Sequence, residues 1–236
     1  MCSINHEKKA IFIHLPKNGG SYIAEILSKY YGFKNYYLQR PDHAFFCRGK
    51  DHSVDKHENK IHGTLIYYKT SPYINKLMGM DNDKWNNYYI FTFIRNPYDR
   101  IVSGWNYCNR YKIPFKNYLL LQNTVNSYDY WHVFMTQTRH LIDTNGKMRV
   151  DYIGHMENME GDLSNILNKL GLNIIHKPFI KNSKTHSKYD VYYDDETYSF
   201  VEEIMKEDFR NAIFNFNLNT DIILNRNHKS IVYETA

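Results

Sequence analysis

The sequence predicts an α/β fold: a central, mainly parallel β-sheet flanked by helices. Three observations lead there. Two short apolar runs, residues 10–15 and 88–94, each end at a proline-bearing turn and lead into a helix-period pattern. The second run is apolar enough to be buried on both faces, as parallel strands are. A third short strand, residues 149–154, again leads into a helix. No linker-like stretch divides the 236 residues, so 1–236 reads as a single domain with an irregular insertion at about 34–60.

The elements follow in order. Ala10-Ile-Phe-Ile-His-Leu15 is the first strand, and Pro16-Lys-Asn-Gly-Gly20 is its turn. Ile23, Ile26, Leu27, Tyr30 and Tyr31 then fall on one helix face. Strand, glycine turn and helix make the front half of a βα unit. Asn96 is a good N-cap, Pro97 suits the first helical position, and Asp99 complements the dipole in the first turn. Further helices are predicted over 115–122, 131–141 and 159–170, the last stopped by Gly171. An acid-led helix closes the pattern over 195–214.

Composition narrows the function classes. Apolar residues make up 42% and charged residues 23%, which excludes wholesale disorder. No run approaches the roughly 18 apolar residues of a membrane span. A net charge of +5 suits an anionic ligand better than a nucleic-acid backbone, which draws a dense basic stripe. The richest basic cluster, 181–188, is interrupted by polar residues and reads from charge alone as a solvated loop. Cys2, Cys47 and Cys108 are an odd, scattered trio, neither a disulfide framework nor a zinc site. With no leader-like segment and no Asn-X-Ser/Thr sequon, the expected setting is cytoplasmic.

Two motifs carry chemistry. In Leu15-Pro-Lys-Asn-Gly-Gly-Ser-Tyr22, backbone amides at a strand end and a helix N-terminus converge on the place an oxyanion would take. Gly19 and Gly20 permit close approach, and Lys17 adds a point charge. The Lys precedes the glycines, so this is not a Walker A loop, and an ordinary βα turn with a surface Lys fits equally. In Phe93-Ile-Arg-Asn-Pro-Tyr-Asp-Arg-Ile-Val-Ser103, Arg95 stands at the carboxyl end of a buried strand, where open α/β sheets bind ligands. Ser103 lies seven residues past Asn96, nearly two helical turns, and so returns to the same face. An Arg fork plus a hydroxyl suits a phosphate monoester. Arg100 reads better as a structural ion-pair residue.

These motifs resemble the 5′-phosphosulfate loop and the 3′-phosphate motif of sulfotransferases that use 3′-phosphoadenosine 5′-phosphosulfate (PAPS). The resemblance is to the Golgi-type carbohydrate, family 2-like branch with its bacterial and viral relatives. It continues through Asp151-Tyr-Ile-Gly-His-Met-Glu-Asn-Met-Glu-Gly-Asp162 and Asn182-Ser-Lys-Thr-His-Ser-Lys-Tyr189, covering roughly residues 10–214. It implies a P-loop-like βα turn and transfer of a sulfonyl group from PAPS to a hydroxyl, most naturally on a carbohydrate, releasing 3′,5′-bisphosphoadenosine (PAP) without a metal. It also implies that Lys17 touches the phosphosulfate and that Asn18, Gly19, Gly20, Ser21 and Tyr22 cradle the 5′-phosphate. Arg95 and Ser103 would hold the 3′-phosphate, and segment 181–189 would close over the nucleotide. Asn18 stands where the family usually has Thr, and His155 where it usually has Arg.

The acceptor hydroxyl must lose a proton, and His is the usual base at neutral pH. The resemblance points to His62, in Lys60-Ile-His-Gly-Thr64, with His57 and His52 as near competitors. An acidic base, or none, also remains open. His14 reads as a packed histidine. The stretch from His62 to Arg95 runs longer than the usual spacing, which points to an insertion near 71–78. Two other functions stay open on the sequence: a P-loop-like small-molecule kinase, and a non-catalytic nucleotide- or glycan-binding protein of the same fold. The kinase would need a Mg²⁺-holding hydroxyl after the loop Lys, where Asn18 stands.

Overall fold

The computed structural model describes residues 1–36, 64–108, 112–121, 130–142, 146–173, 188–211, 214 and 216. Among them a five-stranded sheet forms in the order β3-β1-β2-β4-β5. Its strands are β1 (Cys2–Asn5), β2 (Ala10–Ile13), β3 (Lys34–Tyr36), β4 (Tyr89–Ile94) and β5 (Tyr152–His155). β2, β4 and β5 pair in parallel, whereas β1 runs antiparallel to both β2 and β3. The parallel sheet read from the sequence is therefore present, with one reversed strand inserted beside it.

Side-chain alternation divides the core between the two faces. Ile11, Ile13, Ile90 and Ile94 point to one face. There they meet Leu65 and Tyr68 of α2 (Leu65–Thr70), Ile74 and Met78 of α3 (Pro72–Met78), and Trp85 of α4 (Asn82–Asn87). Ala10, Phe12, Phe91 and Phe93 point to the other. They meet Ile23, Ala24 and Leu27 of α1 (Gly20–Tyr30) and, further along the chain, Leu163, Ile166 and Leu167 of α8 (Met159–Lys169). Burial on both faces is why β2 and β4 read as unbroken apolar runs.

A third cluster gathers beyond the strand ends. Tyr98, Ile101 and Val102 of α5 (Pro97–Cys108) pack with Phe115 and Leu119 of α6 (Phe115–Leu120). Tyr198 and Val201 of α9 (Asp195–Ile204) complete it. Among the described residues no helix is long and apolar enough to cross a membrane.

Several expectations change. β1 has no apolar run to announce it. Cys2 and Ile4 face the core, while Ser3 donates to Asn35 Oδ1 at 2.6 Å and Asn5 donates to the Tyr31 carbonyl at 2.8 Å. Its polar half is thus satisfied by specific partners. β3 occupies the start of the segment read as irregular, and the rest of that segment lies outside the described residues. The longer His62-to-Arg95 spacing contains α2, α3 and α4.

The helix expected over 131–141 is two pieces. A π-helical turn spans Tyr130–Phe134, and α7 (Gln137–Leu141) starts afresh behind the Thr136 N-cap, whose side chain accepts from the Arg139 amide. Arg100 takes the Val133 and Met135 carbonyls at 3.1 and 3.0 Å, carbonyls that a continuous helix would use itself. The terminal helix likewise breaks at Met205, giving α9 and the short α10 (Lys206–Arg210). The break turns the Asp208 carboxylate onto the Gln137 and Thr138 amides at 2.9 and 2.8 Å.

Candidate active site

β2 and β4 are neighbours and parallel, so their carboxyl ends bring the two sequence motifs together. The turn after β2 is held in an unusual shape. Lys17 and Gly19 both have left-handed backbone, with φ of 68° and 66°. A non-glycine residue held there costs of order 1–3 kcal/mol, so the neighbours must enforce it. Two arginines of the second motif do so. Arg100 Nε donates to the Pro16 carbonyl and Arg95 donates to the Lys17 carbonyl, each at 3.2 Å.

Asn18 supplies a third tie. Its side chain is buried and donates to the Phe93 carbonyl at 2.9 Å and to Gln137 Oε1 at 2.7 Å. Gln137 in turn bonds the Arg95 amide and carbonyl at 2.9 and 3.0 Å and leans on Asp208. Asn18 therefore offers the outside of the turn its backbone amide alone. The third parallel strand end, after β5, closes the arrangement. Glu157 accepts from the Asn96 amide at 2.8 Å, and Met156 covers Gly19 so closely that a Cβ there would meet its sulfur at 2.4 Å.

α1 begins at this turn with an open N-terminus. No side chain caps it, and no acidic residue lies in its first turn. The amides of Gly20 and Ser21 lie in the first helical turn and have no intrahelical acceptor. Ser21 is exposed and Tyr22 half-buried. Gly20 is buried because the His14 ring sits against it, leaving no room for a side chain. His14 stacks on Phe12, as a packed histidine does, and burial pushes its pKa well below the usual imidazole range.

Lys17 is the cation of the site. Burial, helped by the charges of Arg95 and Arg100 and opposed by Cys108, brings it down to about 8, so the ammonium persists at neutral pH. Its Nζ lies 4.0 Å from the centre of the Tyr107 ring. Arg95 is mostly buried and pairs with Asp99 at 2.7 Å. Ser103 is half-buried midway along α5.

Arg100 is structural, as read from the sequence, though not through an ion pair. Its buried guanidinium donates to carbonyls, and among the described residues no carboxylate forms a salt bridge with it. His62, His57 and His52 lie outside the described residues, as does 181–187 of the basic segment. Of that segment's end, Tyr189 stacks on Tyr98 at 5.9 Å. His155 stands edge-on to Phe216 at 5.9 Å. Among the described residues no group of three or more His, Cys, Asp or Glu is placed to hold a metal ion.

The sequence reading missed Tyr107, Met156, Gln137 and Asp208. A signal for the first was present: Arg100, Ser103 and Tyr107 recur at i, i+3 and i+7, one face of α5. The others come from distant segments, and only the fold brings them to the turn.

An anion fits this arrangement: open helix amides, a turn shaped by Gly19 and Gly20, and the cationic side chains of Lys17 and Arg95. Comparison with known proteins agrees. An uncharacterized protein of Archaeoglobus fulgidus is 36% identical over 90 residues, which cover 37% of this chain and 71% of that protein. The profile of the Sulfotransferase family matches residues 2–217, nearly the whole chain. The chain belongs to the sulfotransferase family, of the family 2-like type, whose members transfer sulfonyl groups.

Proposed function

We propose that this enzyme moves a sulfonyl group from PAPS to a hydroxyl of a carbohydrate acceptor, releasing PAP, with 1–236 acting as a single domain. The observation that carries the reading is the α1 N-terminus. It is uncapped, free of acidic residues, shaped by Gly19 and flanked by Lys17, which is what a phosphosulfate group requires. PAPS supplies the activated sulfonyl group on a mixed anhydride. Lys17 and the turn from Asn18 to Tyr22, with its open Gly20 and Ser21 amides, hold that end, and Lys17 balances the negative charge left on the departing phosphate. Arg95 and Ser103 receive the 3′-phosphate. His62 accepts the acceptor's proton as its oxygen attacks. No step requires a metal.

The test is a thermal-shift titration with PAP in EDTA, followed by turnover of labelled PAPS over a panel of oligosaccharides. PAP should stabilise the protein by mass action, and label should reach a sugar. No shift at millimolar PAP would remove the donor assignment. Transfer to non-sugar hydroxyls alone would remove the carbohydrate one.

A further inference from the structure

Lys17 has a neighbour that the nucleotide motifs do not include. Its side chain is half-buried, and the nearby charges of Arg95 and Arg100 oppose its ammonium. Among the described residues no carboxylate or carbonyl accepts a hydrogen bond from Nζ. What faces Nζ is the Tyr107 ring, 4.0 Å from its centre. That distance is well inside the range in which a ring's quadrupole attracts a cation.

The ring is itself fixed. Tyr107 lies in the last turn of α5 and stacks on the His132 imidazole, with centroids 6.1 Å apart and planes 18° from parallel. His132 belongs to the π-helical turn whose neighbouring carbonyls Arg100 holds. Arg100 also holds the Pro16 carbonyl next to Lys17. One buried guanidinium thus sets both the backbone from which Lys17 springs and the turn that backs the Tyr107 ring. Yet 60% of Tyr107 remains exposed, far more than a ring needed for the core.

We propose that Tyr107 is a positioning residue for Lys17: its ring holds the ammonium at the reacting end of the turn, so that the charge is in place when transfer occurs. The proposal rests on the reading of Lys17 as the cation on the transferred group. An unheld lysine side chain would sample many rotamers and would reorganise during the reaction. A held one stabilises developing charge without that cost. A hydroxyl on the ring is not needed, but an aromatic face is.

Tyr107→Leu and Tyr107→Phe separate these features, and the exposed position makes either substitution mild for folding. Two readouts apply. The first is acylation of Lys17 by a small activated ester at pH 8, followed by peptide mass spectrometry. The second is PAP release from saturating labelled PAPS with mixed oligosaccharides, measured beside the PAP Kd. The leucine variant should acylate Lys17 several-fold faster, because the ring no longer covers it. It should lose about five- to thirtyfold in kcat, the equivalent of a cation–π contact of about 1–2 kcal/mol, with the PAP Kd changed less than threefold. The phenylalanine variant should restore slow acylation and most of the turnover. Equal behaviour of the two variants in both readouts overturns the proposal. So does a leucine variant whose kcat, PAP affinity and melting temperature fall together, since that marks a structural role. If wild-type protein neither binds PAP nor turns over PAPS, the donor assignment fails. The acylation contrast then decides the Tyr107–Lys17 contact alone.

Discussion

The Asn18 side-chain amide donates to Gln137 Oε1 at 2.7 Å and to the Phe93 carbonyl at 2.9 Å, tying the anion turn to the end of β4 and to α7. This residue stands where the family resemblance leads one to expect a threonine hydroxyl facing the ligand. Here the longer side chain turns inward and braces the turn from beneath. Its two donors meet two acceptors, which fixes which end of the amide is nitrogen.

Asn18→Ala should therefore act first on stability. Losing two buried hydrogen bonds and leaving acceptors short of donors costs about 1–3 kcal/mol, or roughly 3–10 °C in melting temperature at this chain length. Asn18→Asp should be worse, since a carboxylate would face two acceptors. A melting series over both variants checks this. An unchanged alanine variant would mean the bracing is unimportant.

Gly19→Ala tests the shape of the turn. The added Cβ would meet the Met156 sulfur at 2.4 Å and would sit on left-handed backbone. The left-handed residue alone costs about 1–2 kcal/mol, and Met156 must also shift. PAP affinity should fall with stability. Pairing Gly19→Ala with Met156→Ala should recover the steric part and leave the backbone part. No recovery in the double variant would show that Met156 already yields freely.

The parts of this site visible in the sequence are those made by local chain chemistry. Lys17 to Tyr22 and Arg95 to Ser103 are contiguous segments, and their strand-turn-helix setting follows from apolar runs, glycines and a proline. β1 was not visible, because Ser3 and Asn5 interrupt its pattern and are satisfied by Asn35 and Tyr31 far along the chain. Nor was the break between Phe134 and Gln137, since apolar periodicity continues through it. The break follows from Arg100, thirty-odd residues upstream, taking the carbonyls. Gln137 and Asp208 carry no motif, and their role appears only once β4, α7 and α10 have packed.

The hold of Arg95 on the turn can be separated from its proposed contact with the 3′-phosphate. Its guanidinium already bonds Asp99 at 2.7 Å and the Lys17 carbonyl at 3.2 Å. Arg95→Ala should weaken nucleotides with a 3′-phosphate by about ten- to hundredfold, as expected for a lost charge-assisted bond of roughly 1.5–3 kcal/mol. Nucleotides without that phosphate should weaken less, by the share due to a loosened turn. Calorimetry with PAP and with adenosine 5′-phosphate gives both numbers. Equal losses would assign Arg95 wholly to the turn.

His62→Ala should remove about 10²- to 10⁴-fold of the transfer rate while leaving PAP affinity nearly intact, because a base touching only the acceptor hydroxyl has no share in holding nucleotide. Near-normal turnover in this variant, with loss in His57→Ala, would move the base to His57.

The pH dependence of PAP binding should report Lys17 directly. Burial brings its pKa down to about 8, so below that pH the free protein carries the ammonium and affinity is flat in this group. Above it, the ligand must bind together with a proton, because an anion favours the charged form. Affinity should then fall by up to tenfold per pH unit, until the pKa of the complex is passed. The nucleotide cannot cause this fall, since its phosphates finish ionising near pH 6–7. Cys108 opposes the lowering of the Lys17 pKa, so Cys108→Ser should move the onset of the fall to lower pH. Turnover should likewise decline where Lys17 loses its proton. Calorimetric titrations of PAP from pH 6.5 to 9.5 on wild type and Lys17→Met check the assignment. The step should be present in the first and absent in the second. A decline that survives in Lys17→Met would belong to another group.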